Sequence, residues 1–361
     1  MKIREITVGE LPDFVRSEEY ALLNPKPVTP LRAFSQFKNS QARPDDVALV
    51  FAAENNTLLA FAGILPHKAQ GLEEPVFSNS GWWVHPEKGR KLGLSVLLKA
   101  FQLCNGRVIL TDCTAHTQSI LEKTNLFQFV PPVRGSRFFL RFYVGCLLRR
   151  KGKKGLVSFL FSLVDRLLNV PLSAWVSMIQ NRKQGSEFSL DVVKFSDAEH
   201  AAFIQKNPGK SFLVQDAGKL NWVVQYPWVT TEKEKAVGEY PFTHKVDQFK
   251  QEFLEIRQSK KLAVVLLLSV RDNHASVPFI YFEKEALNQA AQMLWSYLVK
   301  QKVDSLAVYN PELEKALRKN KRIWLLRKNI VRYAGYSKEL ETLFAEKEYF
   351  FQDGEADVAF T

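Results

Sequence analysis

Two groups of residues in this chain have types and spacings that chemistry could use. The first is Val84-His85-Pro86-Glu87-Lys88-Gly89-Arg90-Lys91-Leu92-Gly93-Leu94-Ser95. A strand, Ser80-Gly81-Trp82-Trp83-Val84, feeds a turn with Pro86 and Gly89, after which Leu94, Leu97, Leu98 and Phe101 recur at helical spacing. Such a turn aims backbone N–H groups outward at the positive end of a helix dipole, and Arg90 and Lys91 add full charge. The pattern suits a pyrophosphate, with Gly93 expected to let the backbone approach the anion. It also fits an ordinary strand-to-helix connection that happens to be basic. The second group is titratable: His67, His85, Asp112 and His116. His85 ends the strand before the turn, and Asp112 and His116 follow the next strand, on the far wall of the expected cleft. A histidine there changes charge close to neutral pH. His116 and Asp112 rank ahead of His85, and His67 comes last; each can equally be a solvated loop residue or a local cap.

The elements that must position these residues follow from periodicity. Ile3 to Val8 reads as a strand, Leu11 to Tyr20 as a helix, and a loop with Pro25, Pro27 and Pro30 leads to a helix from Leu31 to Asn39 that should bury Leu31, Phe34 and Phe37. Val47–Ala52 and Leu58–Leu65 form a hairpin around a polar turn. The strand Val76–Val84, a helix to Leu103, the strand Arg107–Thr111, a helix Thr117–Asn125 and closing strands Phe127–Val130 and Ser136–Val144 complete a first run. From Glu187 the order repeats: a strand Phe188–Phe195, a helix starting at Ser196-Asp197-Ala198-Glu199, strands near Phe253–Ile256, Leu262–Val270 and Val277–Phe282, a helix Lys284–Val299, a strand Ser305–Tyr309, a helix Pro311–Arg318, and strands Ile323–Leu326 and Ile330–Tyr333. An internal duplication accounts for the length. The acidic tail, Asp353-Gly354-Glu355-Ala356-Asp357, is expected to form a last turn or to stay loose.

The glycine turn resembles the acyl-CoA-binding motif of the GNAT (Gcn-related N-acetyltransferase) superfamily, which reads Arg or Gln, two residues, Gly, one residue, Gly or Ala. Arg90, Gly93 and Ser95 stand at those places, Ser95 being a small-residue departure. The element order over roughly residues 1–145 is also similar to that superfamily's. Leu220-Asn221-Trp222-Val223-Val224-Gln225-Tyr226-Pro227-Trp228 resembles a Leu-Asn-Trp-Arg-Tyr type segment in the second half of tandem GNAT proteins, with Val223 where Arg is commoner. The second strand-to-helix turn, Phe282-Glu283-Lys284-Glu285-Ala286-Leu287-Asn288, has no glycine and carries two carboxylates that would repel a pyrophosphate. The resemblance thus implies an α+β (mixed α/β) fold of two GNAT-like domains, each a central, mostly antiparallel sheet flanked by helices. Residues 1–147 would bind acyl-CoA, 148–185 would be a basic, amphipathic helical linker, and 186–361 a degenerate second domain. The implied cofactor is acetyl-CoA or another acyl-CoA, held by Trp83, Val84, Arg90, Lys91, Leu92, Gly93, Leu94 and Ser95.

Family members commonly polarise the acyl carbonyl with a backbone N–H near the place of Trp83 or Val84, and take a Glu on the same strand as base. This strand offers only Ser78, Asn79 and Ser80. The family's general acid is often the Tyr of Tyr-Glu-Lys-Leu-Gly-Phe; the comparable stretch here, Leu121-Glu122-Lys123-Thr124-Asn125-Leu126, keeps Glu122 and Lys123 but not the Tyr. The catalytic expectation therefore falls on His116, Asp112 and His85. Cys113 has no base fixed by spacing.

Composition bounds these readings. At 361 residues, two domains are the natural expectation, and 46% hydrophobic residues with 27 Phe leave ample core. Fifty Lys and Arg against 38 Asp and Glu give a formal charge of +12, which favours polyanionic ligands or anionic lipid. No helix-turn-helix, zinc spacing or aromatic-basic RNA motif accompanies that charge, so nucleic acid is not the expected partner. Cys104, Cys113 and Cys146 have neither metal spacing nor an even count, which suggests reduced thiols in a cytoplasmic protein. Met1-Lys2-Ile3-Arg4-Glu5 has no apolar signal core. Arg149-Arg150-Lys151-Gly152-Lys153-Lys154 precedes a segment with a narrow polar face, Ser158, Ser162, Asp165, Arg166 and Asn169, and a wide apolar one that Pro171 should stop. The favoured reading buries that apolar face between domains; the alternative lays residues 149–170 on an anionic membrane, at its inner face.

The first functional expectation is an acyl-CoA-dependent N-acyltransferase acting on an amine of a small molecule or sugar precursor. The alternatives are a catalytically inactive acyl-CoA-binding sensor of the same fold, which the missing Glu and Tyr favour, and a FemAB-like aminoacyl transferase.

Overall fold

The computed structural model describes residues 2–145, 148, 155–181, 187–231, 240–242, 245–319, 324–346 and 349–360. In chain order the elements are β1 (Lys2–Thr7), α1 (Leu11–Phe14), α2 (Glu18–Leu22), α3 (Pro30–Phe37), β2 (Val47–Glu54), β3 (Thr57–His67), β4 (Val76–Val84), α4 (Gly93–Leu103), β5 (Val108–Cys113), α5 (Ala115–Glu122), β6 (Phe127–Phe129) and β7 (Val133–Phe139). A long helix α6 (Leu156–Asn181) follows, then β8 (Phe188–Val193), α7 (Ala198–Lys206), α8 (Ala217–Gln225), β9 (Thr230–Thr231), β10 (Lys245–Val246), β11 (Phe249–Gln258), β12 (Lys261–Arg271) and β13 (His274–Phe282). The chain ends with α9 (Leu287–Lys300), β14 (Ser305–Val308), α10 (Pro311–Lys319), β15 (Leu326–Ser337) and α11 (Glu341–Glu346).

The described chain packs as two compact units. One holds Met1–Val133, Phe195–Asp247 and Val331–Thr361; the other holds Arg134–Lys194 and Gln248–Ile330. These units are discontinuous and do not coincide with 1–147 and 186–361. The reason lies in which strand closes each sheet. In the first unit β1, β2, β3 and β4 pair antiparallel in sequence order, β5 joins β4 in parallel, and Val331–Ser337 of β15 closes against β5 and β6. In the second, β8, β11, β12 and β13 pair antiparallel, β14 joins β13 in parallel, and β7 closes against β14. Ser136–Phe139 was expected to close the first sheet and instead pairs with Ser305–Val308. The mixed α/β class, with mostly antiparallel sheets flanked by helices, is as the pattern required.

Local chemistry explains most elements. The β2–β3 hairpin turns on Asn55 and Asn56 at φ 49° and 63°, and β12–β13 on Asp272 and Asn273 at 47° and 63°, the two-residue turns whose left-handed backbone matches strand twist. Thr29 caps α3 by accepting the Arg32 N–H, with Pro30 in the first turn. Ser17 accepts the Tyr20 N–H and so splits the single helix expected over Leu11–Tyr20 into α1 and α2. Alternation sorts β2 onto two cores. Val50 and Ala52 pack with Val96, Leu97 and Ala100 of α4, while Leu49 and Phe51 pack with Leu11, Phe14 and Ala33. In the second unit Leu294 and Leu298 of α9 cover Leu254, Val264 and Leu266.

Three expectations fail. α3 turns Phe34 and Phe37 outward, 46% and 43% exposed, and buries Arg32, Ala33, Ser35 and Gln36 instead. Hydrogen bonds make this tolerable: Ser35 donates to Tyr226 O and accepts the Trp222 indole N–H at its carbonyl. β15 is one strand where two were expected; Ile323 lies outside the described residues, as do the cations of 149–154 and Cys146. Finally α6 runs through Pro171, which removes one backbone donor without ending the helix, and its apolar side chains are exposed where burial was expected.

Gly135 tests the closing strand of the second unit, because an added Cβ would lie 2.4 Å from Val308 O on β14. Gly135→Ala is expected to lower stability by about 1–3 kcal/mol, read as a drop in the urea midpoint at constant slope. An unchanged midpoint would mean that β7 does not lie against β14.

Candidate functional site

The first unit contains a gap in its sheet. β4 and β5 pair only at Phe77 with Val108 and Ser78 with Ile109. Beyond that point β4 stays on β3, while Leu110 and Cys113 of β5 pair with β15. Among the described residues, the β5-facing edge of β4 from Asn79 onward therefore has no strand partner. His85 N–H bonds Leu59 O on β3, so alternation directs the Val84 N–H to the open side. Aromatic rings cover one face of β4: Trp83 stacks on Phe61 of β3 at 6.1 Å, and a Cβ added at Gly81, whose φ is 145°, would lie 3.3 Å from Tyr240 and Phe242.

The cationic turn stands at the end of β4. His85 Nδ1 accepts the amides of Glu87 and Lys88, and Gly89 O accepts those of Leu92 and Gly93. Arg90, Lys91, Leu94 and Ser95 are exposed around the first turn of α4. Gly93 has another use than the one expected of it. A Cβ there would lie 2.3 Å from Val84 Cγ2, so its bareness seats α4 against β4, and Trp82 Nε1 donates to Gly93 O at 3.0 Å. Gly89 is equally constrained, its Cβ position 2.1 Å from Leu59 O. Arg90 Nε is spent on Pro86 O.

The chain's final segment closes over the same unit and brings charge into it. Arg332, 3% exposed, donates to Asp353 Oδ1 at 2.9 Å and to Phe351 O. Arg32, also buried, lies 3.7 Å from Asp357, donates to Ser80 O at 3.2 Å and to the Tyr240 hydroxyl, and sits 4.1 Å over the Trp228 ring. Loss of water lowers Arg32 to about 10 and lifts Asp353 and Asp357 to about 6 each, against the pull of their arginines. A second chain of contacts runs from Glu355 through Ser211, which donates to it, while Lys219 Nζ meets His67 Nδ1 at 3.1 Å and His67 Nε2 meets Ser78 Oγ at 2.8 Å. With Lys219 charged and donating to Nδ1, His67 Nε2 carries the proton and donates to Ser78. Burial raises Glu355 to about 8, lowers Lys219 to about 7, and holds His67 well below the usual histidine range. Glu355 Oε2 has no hydrogen-bond partner among the described residues, so the bond from Ser211 and the attraction of Arg332 and Lys219 offset its desolvation only in part.

Asp112 belongs to this network. It is exposed at the end of β5, partial desolvation raises its carboxyl against the attraction of Arg332, and it in turn raises Asp353 and Asp357. His116 does not belong; it is exposed in the first turn of α5. His85 is a turn cap, with Nδ1 fully used as an acceptor. Burial pushes the Cys113 thiol to about 12, and it donates to Tyr333 O, which leaves it inert as a nucleophile. The sequence reading missed Arg32, Lys219, Tyr240 and Asp357. Its one available signal was a run of carboxylates next to apolar residues, Phe350-Phe351 and Val358-Ala359-Phe360, too hydrophobic for a loose tail. Asp357 keeps access, its side chain 25% exposed.

Neither family models nor curated protein sequences match the chain. Solved structures do. A GCN5-related glucosamine N-acetyltransferase region of a fungal multi-domain GH3 β-N-acetylglucosaminidase is 12% identical at a TM-score of 0.50, over 93% of this chain and 38% of that one. A probable N-acyltransferase from Enterococcus faecalis V583 is 10% identical at 0.50, over 95% and 74%. A GCN5-related N-acetyltransferase from Kribbella flavida is 12% identical at 0.48, over 93% and 71%. At these identities the likeness is one of fold, and the fold is that of the GNAT proteins.

The buried charges set a pH dependence. A carboxyl whose folded pKa exceeds its unfolded value holds its proton more tightly when folded, and the stability so gained is lost as pH rises through the folded value. For Glu355 that window runs from 4.5 to about 8; for Asp353 and Asp357 it closes by about 6. Lys219, lowered to about 7, acts oppositely, adding stability as pH rises above that. The Tm should therefore fall between pH 6 and 7 and Glu355→Gln should flatten that fall, as followed by circular dichroism. Parallel curves for the two proteins would show that Glu355 holds no such proton.

Proposed function

We propose that this chain is an acyl-CoA-dependent N-acyltransferase, built as a tandem GNAT protein, that moves an acetyl or related acyl group to an amine of a small molecule or sugar precursor. The observation that carries the reading is the parting of β4 from β5 directly beside the cationic mouth of α4. Arg90, Lys91 and Lys88 are exposed there, and the turn's Glu87 is the single acid among them, so the residues fit a diphosphate-bearing nucleotide. The second run has Glu283 and Glu285 at its strand-to-helix turn, which suits scaffolding or acceptor selection rather than anion binding.

Acyl-CoA supplies an activated thioester carbonyl; the chain supplies position and proton transfer. The Val84 N–H faces the open edge and can take the negative charge that develops on the carbonyl oxygen. Asp357, half-ionised near pH 6 and a quarter exposed, is the base that accepts the proton of the attacking amine, with Asp112 beside it. The acceptor's C–N bond forms as the C–S bond breaks, and the proton taken by Asp357 passes to the departing thiolate or to solvent. This assignment replaces the strand Glu that the family commonly uses. Tyr240, bound to Arg32 and facing Gly81, stands at the same edge.

A second reading, acyl-CoA binding without turnover, is favoured by Leu121 at the place of the family's Tyr. Titration calorimetry with acetyl-CoA and release of free thiol over a panel of amines separate the two. The paired change Arg90→Ala and Lys91→Ala should weaken binding about tenfold or more. Asp357→Asn should leave binding in place and cut thiol release by about 10²- to 10⁴-fold. Binding without thiol release by the unaltered protein selects the second reading; no binding removes both.

A further inference from the structure

The helix α6 is built inside out. Its polar residues face the second unit: Asp165 is 8% exposed and accepts the Gly145 N–H at 2.8 Å, and Asn169, 6% exposed, accepts the Phe142 N–H and donates to Phe142 O at 3.0 and 2.8 Å. Ser162 lies so close to Gly145 that a Cβ there would be 2.2 Å from its Oγ. Arg141, Asn273 and Asp304 join this polar face around a cavity of about 520 Å³. These bonds fix the helix's rotation about its axis. The consequence is that Leu156, Phe159, Leu160, Leu167 and Val170 point outward, at 73%, 65%, 50%, 66% and 69% exposure. In water a helix of a folded protein turns the opposite way, and an outward apolar stripe of this extent marks a surface that something covers.

From this we infer that α6 lies flat on an anionic lipid surface. Charge decides the occupant. The run Arg149-Arg150-Lys151-Gly152-Lys153-Lys154 joins the helix through Gly155, so covalent reach alone keeps its five cations within about 25 Å of the first turn. Basic residues flanking an apolar helix face combine lipid insertion with attraction to anionic headgroups, each cation adding about 1 kcal/mol near such a surface. A parallel pairing with a second copy of the chain is disfavoured by the same run, since it would set like charges together, and an antiparallel pairing would leave the run without an anionic partner. A crossing orientation fails because Asp165 and Arg166 sit mid-helix, and none of the described helices is long and apolar enough to span a bilayer. The inference is independent of the reaction proposed above. It takes up the alternative reading of residues 149–170, since the face expected to be buried is open.

Co-sedimentation of the full chain with large vesicles tests it, using phosphatidylcholine alone and phosphatidylcholine mixed with phosphatidylglycerol. Binding is expected with the anionic vesicles only, weakened more than tenfold when Arg149, Arg150, Lys151, Lys153 and Lys154 are changed to Gln, and by high salt. The paired change Leu160→Glu and Leu167→Glu, both at exposed positions, should abolish it with an unchanged melting curve. Failure to bind anionic vesicles overturns the inference. So does binding that survives the leucine changes, or a dimer by light scattering that dissolves on those changes while vesicle binding is absent.

Discussion

Two arginines buried from water, each facing a carboxylate of the final segment, hold the first unit together. Arg332 grips Asp353 and the Phe351 carbonyl, and Arg32 faces Asp357 while reaching Ser80 of β4. Breaking such a pair by removing one partner leaves a buried charge uncompensated, a cost of about 3–5 kcal/mol. The same pairs carry the closing segment to the sheet, so the groups that could move a proton arrive together with the groups that stabilise. Arg32 ties three elements at once: α3 by its backbone, β4 by its guanidinium, and the end of the chain by charge. Its stacking over Trp228 and Tyr240 makes a lysine a poor replacement.

Around that anchor the sheet is opened rather than completed. β4 parts from β5 after two residue pairs, and the helix that follows β4 is seated there by an absent side chain, Gly93 against Val84, and by the Trp82 indole. An unpaired strand edge in a protein interior is costly unless something satisfies it. Here β4 runs into the turn that bears the exposed cations of the α4 mouth, and Arg32, the partner of the partly open Asp357, reaches Ser80 O on the same strand. That arrangement is what the proposed acyl transfer uses.

Much of this was legible in sequence because it is local. Alternation in Val47–Ala52 and Leu58–Leu65, the paired asparagines between them, and the Pro86–Gly93 turn each specify their own geometry over a few residues. Asp112 could be placed on the sheet because it stands at the end of a clear strand. The partners of that strand could not, because nothing near Ser136–Phe139 or Val331–Ser337 says which distant strand each will meet. Periodicity failed in a different way at α3 and α6. In both, hydrogen bonds to backbone override the hydrophobic pattern, burying Ser35, Asp165 and Asn169 and sending Phe34 and Leu167 outward. Hydropathy alone assigns such helices the wrong inward face.

The exchange of closing strands also shapes how the molecule can come into being. Cys113 meets Tyr333 across 220 positions, so the sheet of the first unit lacks its border until most of the polypeptide has left the ribosome. Loop-closure entropy for such distant partners must be met before their contacts stabilise anything, which slows folding and leaves β5 with a bare edge in the interval. Neither the first 200 residues nor the rest could be cut away and leave the first unit with a closed sheet, because β5 and the strand that borders it come from opposite ends of the chain.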